Sequence, residues 1–239
     1  MASDEGDKKI TNCTNSGTIT AATTQAGGVV GYQDAGTISA CTNSGKITAA
    51  STQAGGIVGR QNAGTISNCT NSGAITVDNQ LAGGIAGRQD AGTISNCANS
   101  GGVVANAKTV RGIAGGIVGG LAGGTVTNVY NSASVTVGDY SSTDTIGGII
   151  GYQIEGSISN AYNKGILTGG DVIGGVIGQK KISPTVENTY YYTTQSIKGI
   201  GSESDTTTEV TAVDDVEGKT EKTTKDINSL EKFLATEMP

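Results

Sequence analysis

One aliphatic residue recurs between two hydroxyl-bearing neighbours along most of the chain. The phrase Thr-Ile-Ser, or a close relative, is centred on Ile10, Ile38, Ile66, Ile94, Val126, Ile158 and Val186. Polar–apolar–polar alternation over three to five residues predicts a strand with one buried face. A second phrase, Gly-x-Ile-Thr, places Ile19, Ile47, Ile75, Val103, Val135 and Ile166 in a similar setting. A third, Gly-Gly-Ile-Val-Gly, ends at Gly31, Gly59, Gly87, Gly119, Gly151 and Gly178. Asn, Ser and Gly separate the three and predict turns. So many glycines and β-branched residues disfavour helix.

The phrases belong to one repeat. Cys13, Cys41, Cys69 and Cys97 are each 28 residues apart, and the slot continues as Val129, Ala161 and Thr189 at spacings of 32, 32 and 28. Seven copies span about residues 8 to 192. Three short strands per copy predict a three-sided coil, and stacked coils make an all-β, right-handed-type parallel β-solenoid, or β-helix. Seven coils of 28–32 residues at ~4.8 Å per step give a stack roughly 30 Å tall. The expected organisation is a polar segment over 1–9, the solenoid over 10–192, a Thr-, Ser- and acid-rich loop or irregular strand over 193–223, and a helix over 224–239.

In such a stack, equivalent residues lie above one another. Cys13, Cys41, Cys69 and Cys97 then form a ladder of small side chains inside the coil, and Val129 and Ala161 show that the slot needs no sulfur chemistry. Adjacent strands hold Cβ atoms farther apart than a disulfide requires, so four free, buried thiols are expected. A zinc site is excluded, because ligand cysteines come in close pairs and the chain contains no His. Asn15, Asn43, Asn71, Asn99, Asn131 and Asn163 form a second column. Asn there suits a left-handed turn and a ladder of stacked amides.

Composition narrows the function. The chain has 239 residues, 39 of them Gly, with one Phe and no Trp, so its core must be aliphatic. A net charge of −6 argues against nucleic acid as a partner. No apolar run is long enough to insert into a membrane. The opening Met-Ala-Ser-Asp-Glu lacks an apolar leader, and the chain is expected to be part of a longer polypeptide.

With "GGIVG" followed by "GTISNCTNSGAIT" in register through six copies, the chain resembles the GLUG-motif repeat family over roughly residues 10 to 192. The "NTYYYTTQ" strand and the closing "TKDINSLEKFLATEM" resemble the usual end of such arrays. The resemblance implies a β-solenoid in a bacterial surface protein, of the kind that also occurs in the non-catalytic part of IgA-specific metallopeptidases. It implies an extracellular or cell-surface location and names no ligand. Peptidase activity does not carry over, since no His-Glu-x-x-His is present.

The ends and corners hold the remaining candidates. Ile227, Leu230, Phe233 and Leu234 have the spacing of an amphipathic helix that would cap the open end of the stack. Tyr32, Arg60, Arg88 and Tyr152 share one column, interrupted by Gly120, and Gln33, Gln61, Gln89 and Gln153 share the next. Four-residue insertions after Cys97 and Val129 bring Lys108, Arg111, Tyr140, Asp139 and Asp144 to one edge. Asp139, Asp144 and Asp171 are also a weak candidate for Ca²⁺. Rows of Thr and Ser flanking the Ile column resemble ice-binding arrays, with Ser breaking the lattice. No pair of carboxylates converges as glycosidase chemistry requires. The sequence therefore points to a non-catalytic stalk or adhesin-like module without a cofactor, presenting a face to a host glycan or glycoprotein. A carbohydrate-binding or carbohydrate-processing β-helix is the alternative, and ice binding a remote one.

Overall fold

The computed structural model describes residues 8–22, 25–50, 53–138, 142–181, 185–193, 197–203 and 211–214. Every strand pair in it is parallel, and the partners lie one repeat apart, as in Ile66 beside Ile38 and Ile94. The chain is a β-solenoid whose coils contribute to three sheets. The first sheet begins with Lys9–Thr11, Thr37–Ser39, Thr65–Ser67 and Thr93–Asn99. The second holds Ile19–Ala21, Ile47–Ala49, Ile75–Val77, Val103–Ala105, Val135–Val137 and Leu167–Thr168. The third is Gly-rich and takes two strands from each of the first five coils, such as Gln53–Gly55 and Val58–Gln61. Its two stacks merge in Val172–Lys180.

Six coils have all three sides among the described residues. Beyond them, Val186–Thr193 and Lys198–Glu203 give two sides of a seventh, and Thr211–Asp214 adds a rung to the first sheet. The expected count of about seven coils compares with six complete ones and two sides of a seventh among the described residues. The proposed capping residues Ile227, Leu230, Phe233 and Leu234 lie outside the described residues.

A local backbone reversal shapes the first sheet. Asn12, Ala40, Asn68, Asn96, Asn128, Asn160 and Asn188 all have φ between 48° and 56°. In an unbroken strand, residues three apart face opposite sides. The left-handed residue resets that alternation, so that Ile66, Cys69 and Asn71 are all buried. Asn tolerates this conformation better than other side-chain-bearing residues. The left-handed asparagines are thus three residues upstream of the column expected to hold them. Asn128, Asn160 and Asn188 each donate to the preceding one, at 3.0, 3.0 and 3.2 Å, forming an outer ladder.

The Asn15 column is an inner ladder. Nδ2 of Asn43 donates to Oδ1 of Asn71 at 2.7 Å and to the carbonyl of Gly45 at 3.0 Å. The pattern repeats from Asn15 through Asn131, ending on Oδ1 of Asn163 at 2.8 Å. From Asn43 to Asn163 these side chains are at most 1% exposed. The next rung is Tyr191, whose hydroxyl donates to the carbonyl of Ile197 at 2.9 Å.

This ladder reaches across the coil to the Gly-rich sheet. A Cβ on Gly56 would lie 2.4 Å from Cγ of Asn71, and one on Gly84 would lie 2.4 Å from Cγ of Asn99. From Gly28 to Gly148 the second Gly of each pair is therefore the floor on which an Asn amide rests, and Gly175 meets the Tyr191 ring instead. The contact leaves two apolar clusters, one built around the Ile38, Cys41 and Ile57 columns and one around Ile47, Ala49 and Ala54.

Two further expectations change. Cys41, Cys69 and Cys97 are buried and Cys13 is exposed, because no coil covers it on its outer side among the described residues. Burial pushes the Cys41 and Cys97 thiols above their ordinary value. In the second sheet Leu167, not Ile166, pairs with Val135; Ile166 is 68% exposed.

Three outcomes are expected. Asn99→Ala should lower the urea-unfolding free energy by about 1–3 kcal/mol, since it strips a partner from two buried amides. Cys97→Val should change it by less than about 1 kcal/mol, because Val129 already fills the equivalent slot. In native protein a thiol reagent should label Cys13 quickly and the other three only on unfolding.

Candidate functional site

The Gly-rich sheet turns outward the column that sequence patterning singled out. Register pairs Tyr32 with Arg60, Arg60 with Arg88, Arg88 with Gly120, Gly120 with Tyr152, and Tyr152 with Gln179. Tyr32 is 46% exposed, and Arg60, Arg88 and Tyr152 are half-buried. The neighbouring Gln33, Gln61, Gln89 and Gln153 are not a second recognition row. They are buried, and each donates its amide to the carbonyl of the Gly three residues on, at 3.1, 3.2, 3.1 and 3.3 Å. Those glycines hold φ of 82–90° at the corner, so the Gln side chains tie down a strained turn.

Arg60 and Arg88 converge on one carboxylate. Nε of Arg60 lies 2.6 Å from Oδ2 of Asp90, and Nε of Arg88 lies 2.6 Å from Oδ1. Burial alone would raise the Asp90 carboxyl; the two guanidiniums outweigh it and hold the group below its usual value. One carboxylate thus orients two cations and leaves their outer nitrogens for other partners. In the equivalent turns Asn62 donates to Asp34 at 3.0 Å, and Ala122 and Ile154 carry no charge.

The interruption at Gly120 is a cleft. About 290 Å³ of space opens over it, walled by Arg88 and Tyr152 and backed by Leu81 and Ile113. A Cβ on Gly120 would stand 3.2 Å from Leu81 Cδ2, so any larger side chain there would occupy the space. The first insertion contributes Val110 and Arg111 to the lining. Cζ of Arg111 lies 5.0 Å from the centroid of the Tyr152 ring, a cation–π contact. Its Nη2 donates to Oε1 of Gln179 at 2.9 Å.

The insertion does not gather its charges into one cluster. Lys108 turns toward the preceding coil and pairs with Asp78 at 2.9 Å. Asn106 also donates to Asp78, and together they hold that carboxyl below its usual value. Asp144 is buried and accepts the backbone N–H of Gly112 at 2.7 Å, which anchors the strand after the insertion. Tyr140 and Asp139 lie outside the described residues, so the Asp139–Asp144–Asp171 grouping has no described geometry. In the hydroxyl rows, Thr127 and Ser159 are 2.9 Å apart and Ser157 donates to Thr125 at 3.2 Å.

Comparison with known proteins bears on the repeat. The GLUG motif matches at residues 22–48, 50–77 and 78–105. This chain carries GLUG repeats. Each matched stretch contains a Gly-Gly pair whose second Gly meets an Asn amide, so the glycine floor under the Asn ladder recurs in all three. A solved structure from Bacteroides ovatus, described as a "putative immunoglobulin A1 protease", is 19% identical to this chain with a TM-score of 0.57. The match covers 87% of this chain and 76% of that one, and it is a likeness of fold. Among curated proteins none matches the sequence significantly. The cleft lies beyond the three matched GLUG stretches for most of its lining, at residues 110–122 and 152–154.

The Asp90 clamp sets a pH dependence. Its folded carboxyl sits below the unfolded value, so its stabilisation is present above about pH 3.9 and is lost as pH falls through the folded value. Asp90→Asn should flatten the decline of stability below about pH 4, measured by urea unfolding across pH. An unchanged acid profile would place the sensitivity elsewhere.

Proposed function

We propose that this chain is a non-catalytic, stalk- or adhesin-like module of a bacterial cell-surface or secreted protein, and that it presents the outer Gly-rich face to a host glycan. The observation that carries the reading is the outward file of Tyr32, Arg60, Arg88 and Tyr152 broken by the Gly120 cleft. Aromatic rings offer flat apolar faces to sugar rings, and guanidiniums offer several N–H donors in a fixed plane. GLUG repeats and the likeness of fold to the Bacteroides protein support a secreted or surface setting. The interior supports a mechanical role, since the coils bond to one another through backbone and through the inner amides from Asn15 to Asn163, with outer amides added from Asn96 to Asn188.

The lining of the cleft favours binding over chemistry. None of its described lining residues is Asp or Glu. Hydrolysis of a glycosidic bond requires two carboxyl groups flanking it, one of them protonated. Asp90, beside the cleft-lining Arg88, is held below its usual carboxyl value by two arginines.

The test is a broad glycan and host-glycoprotein array. Wild-type protein should give specific signals, and Tyr32→Ala, Arg60→Ala or Tyr152→Ala should weaken them at least severalfold while each variant stays folded at the assay temperature. A blank array, or signals indifferent to all three substitutions, would overturn this face as a glycan site.

A further inference from the structure

The Gly120 cleft coincides with the first insertion, and the coincidence has a chemical reading. The Cys97-to-Val129 coil is the first to gain four residues, and it is also the one coil whose outward column lacks a side chain between flanking Arg88 and Tyr152. One change empties a space on the face and the other lines it with Val110 and Arg111. Its volume, about 290 Å³, is near the lower end for small-molecule pockets, ~300–1,000 Å³, and suits one ring-sized group.

The charges around the space are unbalanced. Arg88 and Arg111 both line it, and no acidic residue does so among the described residues. Arg88 engages Asp90 through Nε, but that carboxylate is shared with Arg60. Arg111 is half-buried, and its described partners are the Gln179 amide and the Tyr152 ring, both neutral. Asp144 acts on it only at longer range, and burial pushes its guanidinium below the ordinary value. A guanidinium withdrawn from water without a carboxylate beside it is costly, and an incoming anion relieves the cost. A neutral ring would fill the same space and leave Arg111 without a counter-charge beside it. The whole chain carries −6, so this cationic spot is a local reversal of its charge.

We infer that the Gly120 cleft takes an acidic sugar, a pyranose whose single oxyanion substituent lies between Arg88 and Arg111 while its ring rests over Gly120 against Leu81 and Tyr152. The inference rests on the glycan reading above and adds the ligand's charge and its seat. Arg111 is the specificity element: bidentate guanidinium–oxyanion bonds are short and directional. Tyr152 positions Arg111 from below.

The test is ligand-observed NMR and calorimetry with a panel of methyl pyranosides. It pairs the galacturonide and the N-acetylneuraminide with the neutral galactoside and the galactoside 6-sulfate. An acidic member should bind at least about tenfold tighter than the neutral galactoside, and the preference should shrink with added salt. A carboxylated sugar binding better than the sulfate would assign the oxyanion as carboxylate; the reverse would assign sulfate; either supports the inference. Arg111→Gln should erase the preference for charge while leaving thermal unfolding unchanged. Gly120→Leu should block all members by filling the cleft, and Gly120→Ala serves if the larger residue disturbs folding. Equal binding of neutral and acidic members, lost in Gly120→Leu, would overturn the acidic preference and keep the glycan reading. Array signals that depend on Tyr32 and Arg60 but ignore Gly120→Leu would overturn the seat. No saccharide binding in either assay would overturn both.

Discussion

An asparagine amide resting on a glycine Cα fixes this solenoid. The side chains from Asn43 to Asn163 cross the coil and meet the second Gly of each Gly-Gly pair at distances no Cβ could occupy. The amide then has four uses for its polar atoms within the interior. It donates to the next amide and to a backbone carbonyl, its oxygen accepts from the preceding amide, and at Asn99 and Asn131 that oxygen also accepts the backbone N–H two residues on. Burial of a polar group without such partners would be strongly unfavourable. With them, the ladder spans the interior as a polar partition between two aliphatic clusters. A core without Trp or, among the described residues, Phe is held in register by amides as well as by packing.

The outer face depends on that partition. Because the Gly-rich sheet is pinned to the amides, the residues just after it emerge in a strict file. The Gln side chains then lock the corner, and the Tyr and Arg residues before them have nowhere to point but outward. The cleft arises where this regularity is relaxed, by a missing side chain at Gly120 and an extended turn above it. A rigid lattice with one local exception makes a site that needs no moving part.

Much of the architecture was legible because every signal is written six or seven times. A strand phrase of three residues is weak alone, but the recurrence of Ile38, Ile66 and Ile94 at constant spacing forces parallel stacking. Errors fall where the repeat misleads or ends. The left-handed turn was assigned to Asn15 and its equivalents, since Asn suits both a turn and a ladder, and the neighbouring Asn12 column fits the same description. Leu167 and Ile166 are adjacent and both aliphatic, so patterning alone cannot choose which faces inward. Cys13 belongs to the buried column by sequence, yet it occupies the terminal described rung. The Gln column looks exposed because Gln is polar, and its hydrogen bonds to the corner carbonyls have no sequence signature. The cleft was hardest to see, because a site made by an absent side chain leaves only a Gly, in a chain already rich in them. The joint occurrence of that Gly and an insertion in one coil was the available clue.

The inner amides all point the same way, each nitrogen toward the oxygen of the following coil. Every rung therefore presents the same acceptor below and the same donor above. Excising one 28-residue unit, or copying it, would rejoin the ladder without a mismatched partner and shift the far end by one strand spacing. Repeat number is then a freely adjustable length, and recombination between near-identical coils can reset the reach of the molecule while leaving its cross-section untouched.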